Sequence, residues 1–168
     1  MPVDVVANIP PQSDVLLDAN IFIYGFNNVS AQCRTLLERC AREEVFGVTT
    51  VEVINEVTHR LMLADALNTG VITRESADQL RRRLPAIRGL RRYWRQASSI
   101  LEMNVLILEL EERRRRRAAI LRQTHGLFTN DSVILAALDE FGLDSLASAD
   151  SDFDHVPAIT VFKPTDLP

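Results

Sequence analysis

Short, largely apolar runs punctuate this chain at 15–17, 45–48, 104–108, 145–149 and 159–162, with longer amphipathic stretches between them. Runs this short and this apolar suit strands buried on both faces, as in a parallel sheet. Between them the spacing turns helical. Cys33, Leu36, Leu37 and Cys40 share one stripe of a helix over 31–43, with Ser30 placed to cap it. Val53, Ile54, Val57 and Leu61 form an apolar arc on a helix over 51–67, where Thr49 and Thr50 offer caps and Asn68-Thr69-Gly70 supplies the end. The apolar patch 21–26 leads into an Asn-Asn-Val-Ser connection. Residues 73–101 are helical in pattern but interrupted at Pro85 and Gly89, and Pro85 predicts a new helix start or a kink. A charged helix is expected over 109–125. A further helix opens at Thr129-Asn130-Asp131, turns Val133, Ile134, Ala137, Leu138 and Phe141 inward, and closes at Gly142. Strands alternating with helices predict an α/β fold around a mainly parallel sheet.

Composition adds bounds. With 168 residues, 46% of them hydrophobic, the chain can bury a core without disulfides or a structural metal. Cys33 and Cys40 read as buried free thiols, which fits a reducing cytoplasm. The first residues lack the basic segment and apolar core of a signal peptide, and no apolar run reaches the length of a membrane span. The net charge of −4 is unevenly spread: residues 81–122 hold thirteen arginines and four glutamates, leaving six basic and nineteen acidic residues elsewhere out of totals of 19 and 23. Such a basic middle suits either an anionic substrate or a solvated helical surface. Arg113 to Arg117 must point all round their helix, and Glu109, Glu111 and Glu112 stand four residues before Arg113, Arg115 and Arg116, the favourable order for helix ion pairs. No internal repeat or linker marks a second domain.

The candidate chemistry is carboxylate. Asp18 and Asp150 each follow an apolar strand, Asp131 begins a helix, and Glu56 lies in the second turn of another. In a parallel sheet all four places can share the edge at the carboxyl ends of the strands, where ligands bind. Each alone has an ordinary explanation: a cap for Asp18, a dipole partner for Asp131, an i,i+4 pair with Arg60 for Glu56. Crowded together they could not all stay ionised without a cation, and an all-oxygen set suits Mg²⁺ or Mn²⁺.

These residues carry a family resemblance. Leu16-Leu17-Asp18-Ala19-Asn20, Glu56 behind a Thr-capped helix start, Thr129-Asn130-Asp131 and Ser148-Ala149-Asp150-Ser151-Asp152-Phe153 resemble, in order, the acidic motifs of PIN-domain nucleases, many of them toxins of the VapC type. The likeness runs from about Val15 to Pro164; Ser148 stands where the final motif often has Thr, which keeps the hydroxyl. It implies a three-layer α/β/α sandwich, with an arginine-rich helical insertion at about 70–102 that has no assigned counterpart. It implies an endoribonuclease that cleaves single-stranded RNA with metal-activated water, leaving 5′-phosphate and 3′-hydroxyl ends. Asp18, Glu56, Asp131 and Asp150 match the catalytic, metal-binding quartet. Asp152 is an auxiliary metal position, and Asn20, Thr129 and Ser148 would orient carboxylates or water. The family also implies an antitoxin protein as partner and a homodimer, with no membrane association.

Three other readings compete. A helical di-metal protein would use Glu56-x-x-His59, but its only relative here is Asp152-x-x-His155. A Mg²⁺-dependent phosphatase needs a late lysine, and Lys163 sits close to the end of the sequence. A catalytically inactive RNA- or protein-binding module would use the arginines and have no need of the four acids.

Overall fold

The computed structural model describes residues 4–109 and 111–168. The signal-peptide reading of Met1 to Val3, and the part of the charged-helix prediction that falls on Leu110, lie outside the described residues.

Five parallel strands form one sheet in the order β3-β2-β1-β4-β5. They are β1 (Asp14–Leu17), β2 (Phe46–Thr50), β3 (Leu106–Leu108), β4 (Ser145–Ala147) and β5 (Thr160–Phe162). Each matches an apolar run of the sequence to within about two residues. β1 is central, and its Val15, Leu16 and Leu17 are fully buried, as expected of a strand covered on both faces. Helices cover both sides, which makes the α/β/α sandwich.

One helical layer comprises α1 (Ala19–Phe26), α2 (Ala31–Ala41), α3 (Val51–Asn68) and α6 (Arg92–Ser99), which pack on one another. α7 (Glu112–His125) and α8 (Thr129–Phe141) pack together as an antiparallel pair. Their start and stop signals follow the sequence. Ser30 Oγ accepts from Cys33 N–H at 3.0 Å and Thr50 Oγ1 from Val53 N–H at 3.3 Å. α8 ends at Gly142, whose φ of 65° is the left-handed cap that glycine adopts without strain. Cys33 and Cys40 are buried free thiols beside Leu36 and Leu37.

The patch 21–26 is part of a helix rather than an extension of the strand. Asp18 caps α1 by accepting from Ala19 N–H at 2.6 Å. Gly25 lets α2 approach, since a Cβ there would stand 2.8 Å from Leu37 Cδ1. Because α1 is apolar almost all round, it shows no period that separates a buried helix from a buried strand.

The arginine-rich stretch is three short helices: α4 (Ala77–Arg81), α5 (Leu84–Ile87) with Pro85 in its first turn, and α6. Leu80 and Leu90 from this stretch join Leu63 and Ala66 of α3 and Ile72 in a small core of their own, apart from the main one. Asp65 Oδ2 ties the stretch to α3 by accepting from the N–H groups of Arg92 and Tyr93 at 2.9 and 3.2 Å.

The expected i,i+4 ladder on α7 is only partly present. Arg116 pairs with Glu112, but Arg113 pairs with Glu111 and Glu140. Arg114 is buried against Glu140, and Arg117 reaches Asp139. Of these pairs only Arg114–Glu140 is formed away from water, where screening is weakest. Arg115 has no ion pair among the described residues.

Candidate active site

The sheet reverses its winding direction between β1 and β4, so the crevice beyond their carboxyl ends is a topological switch point. Asp18 follows β1 and Asp150 lies three residues past the end of β4. Glu56 comes from the second turn of α3, which starts at the carboxyl end of β2, and Asp131 from the first turn of α8. All four line one polar cavity of about 230 Å³, together with Asn20 and Arg60.

Asp18 is the most tightly held of them, at 8% exposure. Its Oδ1 accepts from Ala19 N–H, and its Oδ2 accepts from Asn20 Nδ2 and Ser148 Oγ, both at 2.6 Å. The proton count of Ser148 is consistent. Its one O–H goes to Asp18, while its oxygen accepts from Asp150 N–H at 3.0 Å and Asn20 Nδ2 at 3.2 Å. Asn20 Oδ1 accepts from Ala149 N–H at 2.9 Å, so one asparagine links the ends of β1 and β4. Asn20 and Ser148 thus both hold the Asp18 carboxylate and join the ends of β1 and β4. Asp152 donates its backbone N–H to Asp150 Oδ1 at 2.9 Å.

Glu56 makes no ion pair with Arg60; its Oε2 accepts from Asn130 Nδ2 at 2.8 Å. Asn130 was not singled out in the sequence, where its place between Thr129 and Asp131 reads as part of a helix start. The side chain of the exposed Thr129 makes no hydrogen bond among the described residues.

Burial pushes the Asp18 carboxyl up to about 6; the bonds from Ser148 and Ala19 oppose the rise, and the charges of Glu56 and Asp131 add to it. Asp131 is also raised, first by burial and then by Asp150, Asp152 and Glu56. The carboxylates therefore sense one another through the cavity, and none of the four has an ion-pair partner among the described residues.

An all-oxygen set in which burial and neighbouring carboxylates raise Asp18 and Asp131 fits a hard divalent cation, which would relieve that repulsion. Among the described residues no three His, Cys, Asp or Glu side chains converge closely enough to hold an ion by themselves. Mg²⁺ does not require them to, since one or two carboxylates with waters and a substrate phosphate complete its shell. The histidines stand apart from this chemistry: His59 is exposed, and His155 Nε2 contacts the backbone oxygen of His125 at 2.6 Å. Lys163 pairs with Asp154.

Comparison with known proteins agrees with this geometry. Residues 15–159 match the sequence model of the PIN domain. No curated protein matches the chain. Among solved structures it is similar to VapBC2 from Rickettsia felis bound to a DNA fragment from its promoter, with 16% identity and a TM-score of 0.56 over 90% of this chain and 98% of that one. It is similar to a toxin–antitoxin complex from Klebsiella pneumoniae, with 18% identity and a TM-score of 0.54 over 86% and 94% of the two chains. It is also similar to VapC20 from Mycobacterium tuberculosis, a toxin that cleaves the sarcin–ricin loop, with 16% identity and a TM-score of 0.58 over 88% and 98%. At these identities the likeness speaks for the fold.

Proposed function

The chain belongs to the PIN-domain family, and from that premise we propose that it is a divalent-metal-dependent endoribonuclease that cleaves single-stranded RNA, the toxin of a toxin–antitoxin pair. The observation that carries this reading is the convergence of Asp18, Glu56, Asp131 and Asp150 on one cavity at the switch point of the sheet. A structural role would leave these acids paired with cations; here none has an ion-pair partner among the described residues, and burial followed by neighbouring carboxylates raises Asp18 and Asp131.

In this reading the protein's part is to hold carboxylate oxygens in fixed positions. Ser148, Asn20 and Ala19 N–H fix both oxygens of Asp18, Asn130 fixes Glu56, and the backbone of Asp152 fixes Asp150. Mg²⁺ or Mn²⁺ held by one or two carboxylates of the set Asp18, Asp131, Asp150 and Glu56, with Asp152 as auxiliary and waters completing its shell, would supply an acidified water and offset charge developing at phosphorus. Arg60, the cation that lines the cavity, would draw the backbone phosphate toward the acids. One of the similar structures is a toxin–antitoxin complex and another is VapBC2 bound to promoter DNA, which supports an antitoxin partner; a homodimer is the assembly that the family resemblance implies. Free buried thiols and the absence, among the described residues, of a helix long and apolar enough to cross a membrane accord with a cytoplasmic setting.

The test is to incubate the purified protein with single-stranded RNA in Mg²⁺, Mn²⁺ or EDTA, beside Asp18→Asn. Cleavage is expected only with metal and only in the unsubstituted protein, leaving 5′-phosphate and 3′-hydroxyl ends. Products with 2′,3′-cyclic phosphates would sink the metal-water route, and metal-dependent binding without cleavage would favour the inactive module.

A further inference from the structure

Two more cavities continue from the acidic one through shared walls. The first is lined by Glu56 and Asp131 from the acidic site together with Thr129, Asn130 and Phe128. Phe128 is 75% exposed. A phenyl ring left in water beside charged side chains does nothing for the core, since its hydrophobic stabilisation is forfeited. The second cavity shares Thr129 and Asn130 with the first and adds Arg115, Arg122 and Glu52 over an aliphatic floor of Ala118 and Val133, with a volume of about 380 Å³.

Its charges are unusual for α7. Four of the five consecutive arginines are engaged by Glu111, Glu112, Asp139 or Glu140. Arg115 has no such partner among the described residues, and it is the one of the five that lines this cavity. Arg122 makes only a long contact of 3.5 Å with Ser132 Oγ. Glu52 Oε2 is buried with no hydrogen-bond partner among the described residues, a state that costs free energy until a donor arrives.

We propose that these linked cavities are the path of the RNA strand leaving the active site, with Phe128 stacking on the base next to the scissile phosphate, Arg115 and Arg122 holding a neighbouring phosphate, and Glu52 accepting from a ribose 2′-hydroxyl. This deepens the ribonuclease reading and rests on it. Stacking on an aromatic face and pairing of arginine with phosphate are the two contacts by which single strands are held without base readout. A 2′-hydroxyl acceptor is what separates RNA from DNA. A peptide burying an apolar face would need apolar neighbours around Phe128, and the side chains beside it are Glu56, Asn130 and Asp131.

The experiment measures binding of a fluorescein-labelled, mixed-sequence single-stranded RNA in EDTA by anisotropy at several salt concentrations, then cleavage in Mg²⁺. Phe128→Ala, at an exposed position, is expected to weaken binding about tenfold with an unchanged melting temperature. Arg115→Ala is expected to weaken it and to reduce the slope of log Kd against log salt by about 0.7, the signature of one lost phosphate contact. Trp94→Ala, at an exposed aromatic on the distant α6, is expected to leave both unchanged. The same strand as DNA is expected to bind more weakly than RNA, with Glu52→Ala, which removes the acceptor, narrowing the gap. If the unsubstituted protein binds and cleaves RNA but Phe128→Ala and Arg115→Ala match it in Kd and slope, the path is overturned while the ribonuclease reading stands. Equal binding of RNA and DNA by the unsubstituted protein overturns the role of Glu52. No binding or cleavage of RNA at all overturns both the path and the reading beneath it.

Discussion

Asp18 is a carboxylate with three hydrogen-bond donors and almost no water, and its folded pKa nonetheless rises from 3.8 to about 6. Burial outweighs the donors. A carboxyl raised on folding binds its proton more tightly in the native state, so its contribution to stability is whole below pH 3.8 and is lost as pH climbs through about 6. In metal-free buffer at neutral pH, Asp18→Asn is therefore expected to be the more stable protein. The gain is about 1 kcal/mol, or roughly 2–4 °C in Tm, because the new amide would also face the Asn20 amide. Added Mg²⁺ should raise the Tm of the unsubstituted protein and leave that of the variant where it was. Thermal melts at pH 5 and pH 7.5, with and without Mg²⁺, check both; a variant less stable at pH 7.5 would count against the buried charge. The same residues show what a sequence can reveal at this scale. Asp18, Glu56, Asp131 and Asp150 were legible because strand ends and helix starts are legible. Asn130 was not, because its amide works through a contact 74 positions away with Glu56, which no local pattern encodes.

At the scale of elements, α7 and α8 are joined by charge. Arg114 Nε donates to Glu140 at 2.6 Å and Nη1 to the Glu109 backbone oxygen at 2.5 Å, while its guanidinium lies 5.4 Å from the centre of the Phe141 ring. Removing one partner of a buried pair leaves the other desolvated, a larger loss than the pair's own net worth. Arg114→Ala is expected to lower stability by about 2–3 kcal/mol, less than the full penalty because Arg113 still reaches Glu140. Arg116→Ala, on an exposed pair, is expected to shift it by under about 1 kcal/mol. Urea unfolding of the two variants side by side measures the difference, and equal losses would refute the distinction. Sequence pattern placed this helix and paired Arg116 with Glu112, but it missed the partners on α8, since i,i+4 spacing counts only neighbours on one helix. The all-apolar α1 is the converse case: its burial against α2 and α3 erased the periodicity by which it would have been recognised.

Across the whole molecule, the order β3-β2-β1-β4-β5 puts the reversal of winding beside the central strand, and the acids collect there. Alternating strands and helices predicted the parallel sheet and an edge the acids could share, but not this strand order. The number and breaks of the helices over residues 73–101 followed less well, because their packing is onto α3 and onto each other. The small core of Leu63, Ala66, Ile72, Leu80 and Leu90 meets the main one at Tyr93 of α6, which packs against both. A core of five residues opens at lower cost than the main one. Native-state hydrogen exchange is expected to show amides of α4 and α5 exchanging together, well before those of β1 and β2. A single shared opening energy across both sets would refute this. The consequence reaches into descent as well as physics. α4 and α5, which pack side chains into the small core and none into the main one, can lengthen, shorten or change their charge without disturbing the geometry of the four acids. Mutational drift should therefore run fastest there, leaving the chemistry old and the arginine-rich helices new.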